Sequence, residues 1–155
     1  MADQSVWRLT RPKYAPGLDG LGAKKTGGRW NSPGLAAVYT ASSLSLAILE
    51  TFVHLPAALR DVRALPAMRA IELSVPADLF AAARVEATVP LERESRKTGD
   101  DWLRRASSAV LQVPSAMVPL ECNYVLNPVH PDFERIRLVA DHDFAFDGRL
   151  VAATG

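Results

Sequence analysis

The segment LAAVYTASSLSLAILETFVHL, residues 35–55, decides the fold because a strand signal runs directly into a helix signal. Its first part, LAAVYTA (35–41), predicts a short strand. Ser42 or Ser43 can then cap a helix that runs to about His54. The chain is therefore expected to start a helix at the end of a strand.

Further strand signals do not alternate regularly with helices. They lie at residues 5–10, 67–75, 108–115, 122–127 and 135–150, the last as one or two strands with a turn at Asp147-Gly148. This order favours a mixed α+β domain around a mostly antiparallel sheet over a doubly wound fold.

The segments between these strands differ in composition. Residues 11–34 are rich in Gly, Lys and Pro and are expected to form a long loop, which in a compact domain is usually functional or mobile. Residues 76–85 predict a short helix or turn, and residues 86–97 a charged loop. Thr98 and Asp101 resemble a capping box at the start of a short helix, GDDWLRRA.

The length and charge of the chain limit its class. With 155 residues, we expect one domain spanning residues 1–155. Hydrophobic residues make up 48% and charged residues 23%, as in an ordinary globular protein. The formal net charge of +1 gives no electrostatic reason to expect direct DNA binding.

The sequence gives no sign of a metal centre or of a membrane segment. Cys122 is the only cysteine, and His54, His130 and His142 lack metal-ligand spacing, so we expect no metal. The N-terminal residues lack the apolar core of a signal peptide, and no apolar run approaches the ~20 residues of a membrane span. A cytoplasmic protein is the simplest expectation.

Glu50 is an anomaly because its predicted helix is apolar on nearly every side, which is typical of a buried helix. Glu50 and His54 share one narrow polar strip, four residues apart. Burial of an unpaired carboxylate costs several kcal/mol, so Glu50 needs a partner or a functional reason. A structural pair with an arginine or histidine and a catalytic acid are both open.

Arg29 lies between Gly27-Gly28 and Asn31 in the segment TGGRWNSPG (26–34). The guanidinium fork suits phosphate or carboxylate, and glycines let backbone N–H groups approach the same anion. The alternative is a solvated loop arginine, which is the more frequent role of a lone arginine.

Tyr39 and Ser115 are weaker candidates. Tyr39 is a large ring among small neighbours, which fits a core residue or a stacking platform. Ser115 follows Pro114 at the end of a predicted strand and can line a cleft or form a turn. No G-x-S-x-G motif accompanies Ser115, so it is not read as a hydrolase nucleophile. His130 and Asp132 could form an acid–base pair, but the two prolines beside them favour a rigid turn.

Five motifs, in order along nearly the whole chain, resemble the RES domain family. They are WRL (7–9), GGRWNSPG (27–34), VYTA (38–41) joined to LAILET (46–51), VPSA (113–116) and NYVLNPVHPDF (123–133). The resemblance implies an ADP-ribosyltransferase-like fold, a split and mostly antiparallel β core with peripheral helices. It also implies a bacterial type II toxin that consumes NAD⁺ and is neutralised by an Xre-like antitoxin with a helix-turn-helix domain.

The resemblance places the family's Arg, Tyr, Glu and Ser on Arg29, Tyr39, Glu50 and Ser115. Glu50 would stabilise the positive charge that builds on the ribose when the nicotinamide–ribose bond breaks, and Arg29 would hold the diphosphate. Tyr39 would supply a flat surface for nicotinamide, and Ser115 would bind the nicotinamide ribose or the carboxamide.

Trp30 and Asn31 are expected to line the same NAD⁺ pocket, and no metal is required. The ADP-ribose acceptor stays open between water, phosphate and a protein side chain. The antitoxin is expected to cover the pocket near Arg29. A non-enzymatic module that binds a phosphate ligand or a partner protein is the alternative function. An RNase is disfavoured by the near-neutral charge.

Overall fold

A computed structural model describes residues 2–88 and 90–151. Within these ranges seven strands form one sheet. They are β1 (Gln4–Thr10), β2 (Val38–Ala41), β3 (Ala67–Val75), β4 (Arg84–Val85), β5 (Val110–Pro114), β6 (Cys122–Leu126) and β7 (Arg137–Ala145). The helices are α1 (Leu21–Thr26), α2 (Leu44–Val53), α3 (Ala77–Ala81) and α4 (Glu92–Arg105). Short 3₁₀ turns lie at Pro12–Tyr14, Ala57–Leu59, Pro131–Arg135 and Gly148–Val151.

The sheet is mostly antiparallel and nearly divides in two. Its strand order is β4-β5-β6-β2-β1-β3-β7, and among the described strands only β4 and β5 run parallel. Strands β1 and β2 share a single register pair, Trp7 with Ala41, whereas β3 pairs with β1 along the whole length of β1. The expected mixed α+β fold around a mostly antiparallel sheet is therefore confirmed.

The two faces of the sheet carry different cores because side chains alternate along each strand. One face packs against α2, α4 and the segment before β2, through residues such as Trp7, Ala41 and Val125. We call this the α2–α4 face. The opposite face packs Val6 and Val38 against α3 and the neighbouring turns.

Helix α2 begins where the sequence predicts but is not buried on every side. Ser43 is its N-cap and accepts a hydrogen bond from the Leu46 N–H at 3.1 Å. Leu46 and Ala47 are buried, whereas Leu49 is 36% exposed and His54 is exposed. The prediction of an all-round buried helix was wrong because α2 lies across one face of the sheet, with its outer side uncovered.

The predicted loop over residues 11–34 also needs correction, because it contains α1 and the 3₁₀ turn at Pro12–Tyr14. The N-cap of α1 is Gly20, whose φ of +67° favours glycine. Asp19 assists by accepting from the Leu21 N–H at 3.1 Å. The segment is therefore a folded support for the residues that follow it.

Helix α4 starts earlier than predicted, at Glu92, so the charged loop over 86–97 and the capping box at Thr98 were wrong. Glu92 and Glu94 lie in the first turn of α4 and Arg104 and Arg105 in the last, which suits the helix dipole. Arg96 pairs with Glu92 four residues earlier. In the part of the chain that the structure describes, no helix is long and apolar enough to cross a membrane.

Candidate functional site

The segment between α1 and β2 forms a tight turn that separates two side chains. The Gly28 N–H donates to the Asn31 carbonyl at 2.9 Å, so Arg29 and Trp30 occupy the tip of the turn. Trp30 is 3% exposed and packs in the core beside Trp102. Arg29 is half-buried. The turn thus anchors itself through the tryptophan and leaves the arginine at the tip.

Polar side chains hold this turn from inside. Asn31 is fully buried, and its Nδ2 donates to the carbonyls of Ala23 and Leu35, both at 2.9 Å. The Tyr39 hydroxyl donates to Asn31 Oδ1 at 2.6 Å and accepts from the Trp30 N–H at 3.0 Å. Burial raises the pKa of Tyr39 well above its ordinary value, so the hydroxyl keeps its proton. The side-chain polar groups of Asn31 and Tyr39 are therefore engaged within the turn.

Helix α4 is hydrogen-bonded to the same turn at Ser32. Asp100, which is buried, accepts from the Ser32 N–H at 2.7 Å and from Ser32 Oγ at 2.5 Å. Two hydrogen bonds to one carboxylate fix both distance and orientation. The backbone beneath Arg29 is thus held before any ligand arrives.

Glu50 projects from α2 toward the end of β5 and the start of β6. Ser115 Oγ donates to Glu50 Oε1 at 2.5 Å, and Asn123 Nδ2 donates to the same oxygen at 3.0 Å. No arginine, lysine or histidine forms a salt bridge with Glu50 within residues 2–88 and 90–151. The structural ion pair that the sequence left open is therefore not what holds this carboxylate.

Ser115 is fully buried at the end of β5 and has two tasks. Besides donating to Glu50, its Oγ accepts from the N–H groups of Met117 and Val118 at 3.1 and 3.0 Å. The same hydroxyl therefore shapes the β5–β6 turn and orients the carboxylate.

Asn123 is the residue that the sequence analysis missed. It lies in β6, with Ala41 of β2 on one side and Val113 of β5 on the other, all on the α2–α4 face. The sequence offers no local signal for it, because only strand pairing brings Asn123 beside Ala41, Val113 and the carboxylate of Glu50. Its Oδ1 is buried and has no hydrogen-bond partner within the described residues.

Arg29 and the residues on either side of Ser115 line one cleft. The cleft has a volume of about 410 Å³ and is lined by Arg29, Ala87, Thr88, Pro114, Ala116 and Pro119. The Nε of Arg29 is buried, and it too lacks a hydrogen-bond partner in the described part of the chain. A buried donor of this kind needs an acceptor, and an anion in the cleft would supply one.

The predicted site residues therefore separate into two groups. Arg29, Glu50 and Ser115 lie at or next to the cleft, whereas the Trp30 ring and the Asn31 amide are enclosed in the turn. His130 is not paired with the Asp132 carboxylate; its Nδ1 accepts the Asp132 N–H at 3.0 Å and starts the 3₁₀ turn.

The chemistry of the site is that of an oriented carboxylate, on Glu50, and an unpaired cationic donor, on Arg29, at a cleft beside Ser115. Such a pair can bind an anion and stabilise a nearby positive charge. Among the described residues, no group of three or more His, Cys, Asp or Glu side chains could hold a metal ion.

Comparisons with known proteins give consistent matches. A family model described as RES domain matches residues 5–147. The chain is 39% identical to "Prs ADP-ribosylating toxin" of Sphingobium sp. (strain YBL2), over 95% of this chain and 96% of that protein. It is 37% identical to "Toxin Res" of Photorhabdus laumondii subsp. laumondii, over 96% and 97% of the two chains. It is 36% identical to "Toxin Res" of Yersinia enterocolitica, over 94% and 98%.

A solved structure shares the fold. It is a chain of the M. tuberculosis MbcT-MbcA toxin-antitoxin complex, with a TM-score of 0.68 and 20% identity over 92% of this chain and 84% of that one. At this identity the match supports the mixed α+β architecture.

Proposed function

The chain belongs to the RES domain family, and we propose that it is a bacterial toxin that cleaves the nicotinamide–ribose bond of NAD⁺. We propose further that residues 1–155 form one domain and that it acts in the cytoplasm. Relatives named as toxins, one of them as an ADP-ribosylating toxin, support the activity.

The observation that carries this proposal is the arrangement around Glu50. Both donors, from Ser115 and Asn123, bind Oε1, so the carboxylate is oriented without being neutralised by a cation. The second oxygen, Oε2, takes no hydrogen bond from the described residues. An oriented carboxylate with one free oxygen suits the stabilisation of a developing positive charge.

In the proposed reaction the bond between C1′ of the ribose and N1 of nicotinamide breaks. The bonding electron pair leaves with nicotinamide, which departs as a neutral molecule, and positive charge builds on the ribose ring. Glu50 stabilises this oxocarbenium-like state and accepts a hydrogen bond from the 2′-hydroxyl. The acceptor then forms the new bond to C1′ and releases its proton.

The other candidate residues bind NAD⁺ or position the residues that bind it. Arg29 holds the diphosphate through its guanidinium, whose Nε has no partner within the described chain. The partly exposed Tyr39 ring offers a flat surface for nicotinamide while its hydroxyl holds the turn. Trp30 and Asn31 keep their proposed place around the NAD⁺ pocket by shaping the turn that presents Arg29. Ser115 orients Glu50 at the end of the site that binds the nicotinamide ribose.

The acceptor of ADP-ribose is a further part of the proposal. One relative is named as a toxin that ADP-ribosylates Prs, which supports a protein side chain as acceptor in this chain as well. Water and inorganic phosphate are the other acceptors to be tested.

We also propose that an Xre-like antitoxin with a helix-turn-helix domain neutralises this chain. The related fold occurs in a toxin-antitoxin complex, which supports an antitoxin as a partner. Covering the cleft near Arg29 would block NAD⁺ entry directly. A structure of the complex with Arg29 and Glu50 both open to solvent would contradict this mode of inhibition.

The test of the activity is proton NMR of NAD⁺ incubated with the purified protein, following free nicotinamide. Glu50→Gln should lower its release at least about a hundredfold, because the substitution removes the charge and keeps the shape. Glu72→Gln is a matched control: Glu72 also accepts from a serine hydroxyl, that of Ser5 at 2.6 Å, on an exposed part of the sheet. It should leave the rate unchanged.

The acceptor is tested in the same reaction. Addition of phosphate, or of a bacterial lysate with labelled NAD⁺, distinguishes ADP-ribose, ADP-ribose 1″-phosphate and labelled protein as products. If neither nicotinamide nor labelled protein forms above the level of Glu50→Gln, the enzymatic proposal fails and the binding module becomes the better interpretation.

A further inference from the structure

Asn123 carries a buried acceptor that the fold leaves unused. Its Nδ2 donates to Glu50 Oε1 at 3.0 Å, which fixes the orientation of the amide because only the donor end can face a carboxylate. The opposite end, Oδ1, is buried and has no partner in the described residues. A buried amide oxygen without a donor is costly, and its occurrence beside a functional carboxylate points to a ligand.

The Oδ1 atom of Asn123 determines which chemical groups can be its partner. Oδ1 can only accept, so its partner must be an O–H or N–H donor. The diphosphate of NAD⁺ has no such donor at neutral pH, and Arg29, a donor, is suited to that end instead. The donors at the end of NAD⁺ that reacts are the ribose hydroxyls and the nicotinamide carboxamide.

The ribose hydroxyls fit the arrangement of acceptors better than the carboxamide. Glu50 and Asn123 are joined through Oε1 and Nδ2 at 3.0 Å, and each keeps a second acceptor, Oε2 of the carboxylate and Oδ1 of the amide. A ribose presents two donors on adjacent carbon atoms. Resting on the proposed cleavage of NAD⁺, we propose that Asn123 binds the 3′-hydroxyl of the nicotinamide ribose while Glu50 binds the 2′-hydroxyl.

Asn123 would then be a specificity residue that, together with Glu50, recognises the 2′- and 3′-hydroxyls of the nicotinamide ribose. It would hold the ribose at both adjacent positions and keep C1′ in place over the carboxylate. This role differs from that of Ser115, whose hydroxyl donates to Glu50 and accepts only from the β5–β6 turn.

The experiment is a cycle of one variant and one substrate analogue. The wild-type protein should lose about tenfold to a hundredfold in kcat/KM when NAD⁺ is replaced by the analogue lacking the 3′-hydroxyl of the nicotinamide ribose. Asn123→Ala should lose a similar factor on NAD⁺ and little more on the analogue. This coupling reports the contact itself, since a merely structural role would give independent losses.

Asn127→Ala is the matched control. Asn127 is also a fully buried asparagine, but both ends of its amide are satisfied, by the Leu103 carbonyl at 3.2 Å and the Val129 N–H at 3.1 Å. It should lower the melting temperature and keep the full sensitivity to the 3′-hydroxyl.

The outcomes separate this inference from the activity on which it rests. A wild-type protein that releases no nicotinamide from NAD⁺ overturns the proposed function. If the wild-type protein is active and cleaves the 3′-deoxy analogue with the same kcat/KM as NAD⁺, the role of Asn123 is overturned while the activity stands. This outcome is measured on the wild-type protein, without any variant. Coupling of Asn123→Ala with the 2′-deoxy analogue instead would also overturn it. If Asn123→Ala does not fold, Asn123→Ser is used in its place.

Discussion

Gly99 of α4 lies directly against the backbone of Trp30, so closely that a Cβ at Gly99 would sit 1.7 Å from the Trp30 carbonyl oxygen. The neighbouring Asp100 holds Ser32 on the same turn. Helix α4 and the turn that presents Arg29 are thus fitted to each other at backbone distance, and no side chain can be added between them.

Gly99→Ala is therefore expected to destabilise the protein by about 3 kcal/mol or more, because backbone atoms cannot yield as a flexible side chain can. Gly22→Ala in α1 is the control, since a Cβ there meets nothing within 4 Å and alanine favours a helix. Urea unfolding curves of both variants check this. Equal stability of Gly99→Ala and the wild type would contradict the contact.

Arg29→Ala should weaken NAD⁺ binding with little effect on the fold. Arg29 forms no salt bridge with a described residue and its Nε is unpartnered, so its loss removes no internal contact of that kind. The loss of a charged hydrogen bond to the diphosphate should raise KM about tenfold to a hundredfold. Arg63→Ala, with a side chain 89% exposed, serves as the control. A lower melting temperature at unchanged KM would assign Arg29 a structural role.

Ser115→Ala should reduce both stability and activity. It removes one donor to Glu50 and leaves the N–H groups of Met117 and Val118 without their acceptor, at a cost of about 1–3 kcal/mol. The control is Ser108→Ala: Ser108 is also buried, accepts from Trp102 Nε1 and donates to the Val110 carbonyl, both at 2.9 Å. Ser108→Ala should lose stability alone, as measured by unfolding and by nicotinamide release at a temperature where both variants are folded.

Tyr39 should make stability fall in alkaline solution. Burial raises the pKa of the folded phenol above its unfolded value of about 10, so the folded state keeps a proton that the unfolded state releases. The contribution of Tyr39 is therefore complete below pH ~10 and decreases as the pH rises above that value.

Comparison of wild type and Tyr39→Phe isolates this effect, because phenylalanine cannot titrate. The difference in unfolding free energy between the two proteins should shrink from pH 8 to pH 10.5. Tyr14→Phe, at a residue 55% exposed, provides the control. A difference that stays constant across this range would mean that the Tyr39 hydroxyl is not enclosed by the turn.

The parts of the fold that the sequence predicts well are those with local signals. The strand over residues 67–75 and the Ser43 cap of α2 are found where the pattern places them, since alternation and a capping hydroxyl act over a few residues. The start of α4 was missed because Leu91 is its N-cap and makes no side-chain cap. Its charged residues are spread over the helix, and Trp102 is buried in the core.

The site shows the same division. Glu50 and Arg29 can be singled out from the sequence, Glu50 as a carboxylate on an apolar helix and Arg29 as a cation between two glycines and an asparagine. The partners of Glu50 cannot be identified in this way, because Ser115 and Asn123 reach it only through pairing of β5 with β6 and of β6 with β2. Likewise, the sequence does not show that the turn at Gly28 directs the side chains of Trp30 and Asn31 inward.

The distribution of the candidate site along the chain sets when that site can first be assembled. Arg29, Tyr39 and Glu50 leave the ribosome early, whereas Ser115 and Asn123 are made only after β4 and α4. Until the β5–β6 hairpin has been synthesised and paired, Glu50 has neither of its two donors. A nascent chain that ends before β5 therefore carries the Glu50 carboxylate without either of the donors that orient it.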